Sequence, residues 1–286
     1  MMQSTLTKTI FLSVVALIAF AGNSVLCRLA LSDNAIDPAA FTIIRLVSGV
    51  FTLLPLLLLS QRKVVYEKSG SWLSAFMLFA YALLFSYAYV SIDTATGALI
   101  LFGAVQITLV FVSFLKGNRL SLAELSGVAL ALSGFVYLVL PELQKPSLGG
   151  FIMMSIAGIA WAMYTVGGQG SSNALRDTAF NFLRTIPLVI VLLVVTLSSF
   201  SLTPYGVGLA IASGAITSGL GYAIWYAALP NLTTTQAAVI QLFVPVIAAF
   251  GGSVFANEAI TLRLTIAAGL VLGGIMLVIM AKQKSS

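Results

Sequence analysis

Histidine is absent from the 286 residues, cysteine occurs once, and Asp, Glu, Lys and Arg together make up only 8% of the chain. Each shortage excludes something. Without histidine the usual general base, the commonest zinc ligand and an imidazole proton relay near neutral pH are all missing. Cys27 alone can form no intramolecular disulfide. None of the carboxylates lies in the middle of an apolar run, so no proton-carrying acid stands out. There is no Gly-Lys-Ser/Thr phosphate loop, no metal-ligand cluster and no facing pair of mid-span carboxylates. These gaps argue against catalysis, a metal or cofactor, and ATP-driven work by this chain alone.

What fills the chain instead is apolar. Hydrophobic residues make up 60% and the mean hydropathy is +1.09, where an ordinary soluble domain carries about 25% charged residues. A bilayer core of about 30 Å requires about 20 apolar residues of helix, and runs of that length follow one another here. The alternation of a transmembrane β-barrel is missing. The first run is too long for a signal-peptide core and has no convincing cleavage site, so it is expected to stay.

Ten spans are expected: Thr9 to Leu31, Pro38 to Leu59, Trp72 to Ile92, Thr96 to Leu115, Leu122 to Leu140, Leu148 to Gly168, Thr178 to Leu197, Tyr205 to Leu229, Thr235 to Phe255 and Leu262 to Ala281. The net charge of +6 could suggest an anionic partner, but the cations sit in short connections, so they read as topology signals and not as a nucleic-acid surface. Lys8, Arg62, Lys63, Lys68, Lys116, Arg119, Arg176, Lys282 and Lys284 all fall on one side, against little beyond Lys145 and Arg263 on the other. By the positive-inside rule both termini are cytoplasmic.

The pattern Phe41-Thr-Ile-Ile-Arg45 returns 139 positions later as Phe180-Asn-Phe-Leu-Arg184. Ser121 and Gly134 likewise match Thr261 and Gly274 at an offset of 140. The chain therefore reads as an all-α membrane protein of two five-helix repeats, residues 1–141 and 142–286. An odd number of spans per repeat inverts the second copy, the arrangement of alternating-access carriers whose site lies near the midplane.

Arg45 and Arg184 would enter from opposite faces and flank one cavity. Each reads either as a guanidinium fork for an anionic group or as a clamp on backbone carbonyls at a helix break. Asn23 falls on Tyr164 at offset 141, with Trp161 one turn away, and these read as cavity lining or as interhelical contacts. The aromatics Tyr81, Phe85, Tyr87, Tyr89, Tyr222, Trp225 and Tyr226 read as cavity wall, as interfacial belt or as packing, and Tyr222, next to Gly219 and Gly221, is the preferred wall residue. Gln106, Gln236 and Gln241 are solute contacts or helix glue, and Pro245 is a gating hinge or a fixed bend. Arg28, near the end of its span, snorkels to the interface. Ser121-Leu-Ala-Glu124 has capping-box spacing. Gly269 and Gly273 form Gly-x-x-x-Gly, a possible homodimer face.

Phe20-Ala-Gly-Asn23, Arg45 in the second span, and Gln241-Leu-Phe-Val-Pro245 followed by Asn257-Glu258, Gly269 and Gly274 resemble, in that order, the EamA family of the drug/metabolite transporter superfamily. The resemblance covers nearly the whole chain. It implies ten helices, an inverted repeat, a central cavity in the bilayer and export of small metabolites, often amino acids. Phe20 stands where the family often has tryptophan, and Val105 and Asn118 where its first half often carries a proline and an acidic residue. The expected protein is a secondary carrier of the bacterial inner membrane. In it Arg45 would meet an anionic group, Asn23 and Tyr164 would supply polar contacts, and Trp161 and Tyr222 would form the walls. An uptake carrier, a channel-like pore and a non-transporting membrane partner share this architecture.

Overall fold

The structure is a computed structural model that describes residues 2–32, 34–60, 69–115, 121–139, 147–168, 171, 173–228, 231 and 240–285. Apolar runs become helices because a backbone surrounded by lipid must satisfy its own hydrogen bonds. They are α1 (Met2–Ser32), α2 (Pro38–Ser60), α3 (Trp72–Tyr89), α4 (Thr94–Leu115), α5 (Leu122–Val139), α6 (Ser147–Gly167), α7 (Ala174–Arg184), α8 (Ile186–Thr196), α9 (Pro204–Ala212), α10 (Gly221–Ala228), α11 (Val244–Phe255) and α12 (Leu262–Ser285). Local chemistry sets the boundaries. Asp37 accepts the amides of Ala39 and Ala40 at the start of α2, and Ser71 accepts that of Ser74 at the start of α3. Ser121 and Glu124 form the expected capping box, the Glu124 carboxylate accepting the Ser121 amide at 2.7 Å. Thr261 caps α12 in the corresponding place.

Eight spans, with α7 and α8 counted as one and Pro204–Trp225 from α9 into α10 as another, are long and apolar enough to cross a membrane, while Leu122–Tyr137 and Val244–Phe255 are shorter apolar helices. Two expected spans break. The seventh divides at Thr185, where Pro187 starts α8 in place of continuing α7. The ninth turns at Leu242 and Phe243 before α11, and Pro245 sits in the first turn of that helix. Pro245 thus follows a two-residue interruption of the helical span and sits in the first turn of α11, where its missing N–H is harmless. Gln236 lies outside the described residues.

A third irregularity lies between α9 and α10. Ser213–Leu220 runs as a π-helix, and it packs against α1 and α2. Such stretches concentrate at functional sites. Gly214 makes the close approach possible: a Cβ there would strike the carbonyl of Arg45 and the hydroxyl of Ser48.

α3 and α4 pack on α6, α1 packs on α10 and α11, and α5 pairs with α12. In that last pair Cβ atoms on Gly127 and Gly274 would each meet the other glycine's carbonyl, at 2.6 and 2.5 Å. Gly269 and Gly273 face open space.

The two ends of the bundle are tied by matching contacts. At one end Asp37 accepts the Ser201 amide and Thr203 donates to the carbonyl of Ala35. At the other, Asp177 accepts the Gly70 amide and Asn181 accepts that of Ser71. α2 separates the ends by about 34 Å at 1.5 Å per residue.

Candidate solute site

Arg45 is the largest side chain buried almost completely, at 2% exposure. Burying a guanidinium is unfavourable unless its donors are used. The fold uses two nitrogens: Nε donates to Ser218 Oγ at 3.3 Å and Nη2 to Tyr81 Oη at 3.1 Å. The guanidinium carbon also lies 5.1 Å from the Tyr81 ring centroid and 5.0 Å from that of Phe85. Nη1 has no hydrogen-bond partner. No carboxylate offsets the charge, since both ion pairs among the described residues belong to Arg28.

Asn23 completes the polar side. Its Oδ1 accepts from Ser213 Oγ at 2.6 Å and from Thr217 Oγ1 at 3.3 Å, and its Nδ2 donates to Tyr81 Oη at 3.4 Å. The network thus runs from the π-helix through Asn23 and Tyr81 to Arg45 and back to Ser218. It joins α1, α2 and α3 to Ser213–Leu220. Fixed hydroxyl and amide dipoles around a buried charge stiffen one another.

Rings close the other side. Trp161 lies 4.8 Å from Tyr81, 5.2 Å from Tyr222 and 5.4 Å from Tyr164, centroid to centroid, and Phe20 lies 5.8 Å from Tyr222. Asn23, Phe20, Tyr81, Trp161, Tyr222 and Ser218 are among the groups that line the resulting cavity. Its volume is about 20 Å³, enough for one water and too small for an organic solute.

Of the residues singled out by sequence, Asn23, Trp161 and Tyr222 line this cavity, and Arg45 is bonded to two lining residues. Tyr164 stands behind Trp161 and is buried. Arg184 lies elsewhere: Nη1 donates to the carbonyl of Ser69 at 2.5 Å, and the guanidinium carbon is 5.9 Å from the Phe180 ring centroid. It fastens α7 to the segment before α3 and is not among the lining residues. Gln241 and Pro245 sit at the start of the α11 region, also off the lining. Ser213, Thr217 and Ser218, not among the residues singled out by sequence, form one polar ridge in an otherwise apolar span. Their spacing beside Gly214 and Gly219 was the available signal. Arg28 does not snorkel freely, because Glu258 and Asp93 bind it.

Comparison with known proteins bears on what such a site belongs to. The profile of the EamA-like transporter family matches twice, at residues 7–140 and 148–280. An uncharacterized protein of Pseudomonas aeruginosa is 47% identical over 272 residues, covering 95% of this chain and 94% of its own. An uncharacterized transporter of Archaeoglobus fulgidus is 25% identical over 270 residues, covering 88% and 90%, and the uncharacterized transporter YoaV of Bacillus subtilis is 21% identical over 254, covering 85% and 87%. A protein of known crystal structure, 20% identical, superposes with a TM-score of 0.64 over 93% of this chain and 97% of that one, a likeness of fold. The chain belongs to the EamA-like transporter family and is a multi-pass membrane transporter, not an enzyme.

Proposed function

We propose that this transporter is a secondary carrier of the bacterial cytoplasmic membrane, exporting small organic metabolites that bear a carboxylate, amino acids among them, by alternating exposure of the Arg45 site. Both termini lie in the cytoplasm on this reading, so that the end carrying Arg28 faces outward. Each family match forms one repeat. The observation that carries the proposal is the unpartnered Nη1 of Arg45, a buried donor on a charge that no carboxylate neutralises. A solute carboxylate would supply the missing acceptor and the missing charge at once. An ammonium group on the same solute would meet the faces of Tyr81, Trp161 or Tyr222.

A cavity this small fits a carrier better than a pore. A pore keeps a continuous path, whereas this site has room for an organic solute only after the surrounding helices separate.

Counterflow in proteoliposomes tests this. Vesicles loaded with unlabelled amino acids, organic acids, sugars, nucleosides or cationic drugs are followed for uptake of the labelled counterpart, with wild type and Arg45→Ala side by side. The expected result is saturable exchange of a carboxylate solute that Arg45→Ala abolishes. Exchange of a neutral or cationic solute, unchanged in a folded Arg45→Ala protein, would make Arg45 a structural residue.

A further inference from the structure

One turn beyond the central cavity, on the same helices, the structure builds a second polar assembly. α1 lines the cavity with Ser24 and carries Arg28 a turn later. α3 lines it with Phe85, whose ring meets that of Tyr89 edge-on at 4.7 Å. α4 lines it with Leu101 and begins at Thr94. The three routes converge on Arg28.

Arg28 donates through Nε to Glu258 Oε1 at 2.9 Å, through Nη2 to Asp93 Oδ1 at 3.3 Å, and through Nη1 to the carbonyl of Tyr89 at 3.0 Å. Glu258 comes from the other family match, 230 positions away. Its second oxygen accepts the Thr94 amide at 2.9 Å, so one carboxylate holds both the guanidinium and the first turn of α4. The backbone aims it there. Asn257 adopts φ 53°, a left-handed turn that asparagine tolerates, and the Glu258 amide folds back on the carbonyl of Gly252.

On the far side lies a recess of about 350 Å³, lined by Ser91, Asp93, Thr96, Glu258, Thr261 and neighbouring apolar groups. That is the size of a small-molecule site, and the central cavity, at about 20 Å³, is not. Asp93 and Glu258 belong both to the wall of this recess and to the Arg28 cluster.

We infer that Arg28 and Glu258 form the gate between the central site and this recess, with the Phe85 and Tyr89 rings as its inner layer, and that the recess is where solute arrives or leaves at this end. The inference rests on the central-site reading. Separation of α1 and α4 from the α11 to α12 connection, which would join the two spaces, has to break the ion pair. The repeat places no matching acid-base pair at the opposite end: positions 140 residues from Arg28 and Glu258 are Gly168 and Asn118.

The test is labelling of a cysteine in the central cavity. Ser24→Cys in a Cys27→Ala background is reconstituted and exposed to a membrane-impermeant maleimide from the Arg28 end, and Thr96→Cys in the recess serves as control. Arg28→Gln and Glu258→Gln are each expected to raise the rate at Ser24→Cys by about tenfold or more, leave Thr96→Cys within about twofold, and add no further acceleration when combined. An unchanged rate at Ser24→Cys in both variants would overturn the gate. A rise of equal size at Thr96→Cys would also overturn it, as general loosening. The readout needs no solute, so it stands or falls separately from the Arg45 counterflow assay.

Discussion

Asp37 and Asp177 hold the same post in opposite halves of the molecule. They lie 140 positions apart, and each accepts a backbone amide from the connection that leads into the third helical segment of the other half: Ser201 at 3.2 Å and Gly70 at 3.0 Å. Asp37 also caps α2, whereas α7 is capped by Asn173. Asp37→Ala therefore removes a cap as well as a tie and is expected to destabilise by about 0.5–2 kcal/mol. Asp177→Ala removes the tie and a bond from Ser171, without the cap. Thermal unfolding in detergent should place Asp37→Ala below Asp177→Ala, with both below wild type. Equal melting temperatures would mean that the α2 cap contributes no more than the Ser171 bond to Asp177.

Tyr81 is the joint of the central network, since its hydroxyl accepts from both Arg45 and Asn23. Tyr81→Phe deletes that acceptor and keeps the ring against Phe85 and Trp161. A second nitrogen of the buried guanidinium then loses its partner, and a hydrogen bond to a charged group is worth about 1.5–3 kcal/mol. Solute affinity in the counterflow assay should change by about tenfold or more, while Tyr81→Ala, which also strips the wall, should lower the yield of folded protein. An unchanged affinity in Tyr81→Phe would show that the hydroxyl does not set the position of Arg45.

Much of this arrangement was legible in the sequence, and the exceptions share a physical cause. Runs of about 20 apolar residues announce helices directly, and a guanidinium in such a run must face the interior, so Arg45, Asn23, Trp161 and Tyr222 could be picked out. Arg184 could not be told from Arg45 by pattern, although its guanidinium reaches the Ser69 carbonyl and not the cavity. Position along a span does not reveal which way a kinked helix turns it. Arg28 read as a snorkelling cation because its partner is 230 residues distant. Pro245 marks an interruption of its span in the sequence, but only the structure puts that interruption at Leu242 and Phe243. Ser213, Thr217 and Ser218 were hidden because isolated hydroxyls in apolar spans usually bond their own helix. Only the π-helix turns all three toward α1 and α2.

The glycines of α12 should divide sharply by face. A side chain on Gly274 would meet the Gly127 carbonyl at 2.5 Å and Ala131 N at 2.6 Å, backbone atoms that cannot swing aside. Gly274→Val is therefore expected to force α5 and α12 apart, costing at least about 1–3 kcal/mol. Gly269→Val meets open space and should leave the melting temperature unchanged or raise it through helix propensity. If both substitutions behaved alike, the α5 to α12 packing described here would be wrong.

Gly252 offers a way to disturb the Arg28 gate without touching a charge. A Cβ at this position would lie 2.5 Å from Glu258 Oε2 and 2.9 Å from Thr94 Cβ, so even alanine must push the carboxylate or α4 away. The atom displaced most easily is the carboxylate, at the end of a flexible side chain. Its bond to the Thr94 amide breaks first, and the 2.9 Å bond to Arg28 follows. Gly252→Ala is thus expected to reproduce Glu258→Gln, raising the labelling rate at Ser24→Cys severalfold from the same end. Gly251, its neighbour, faces Val25 at 2.7 Å and not the carboxylate, so Gly251→Ala controls for crowding of α11 against α1. Acceleration by Gly252→Ala but not by Gly251→Ala would tie access to the central site to the position of one carboxylate. Equal acceleration by both would assign it to helix packing instead.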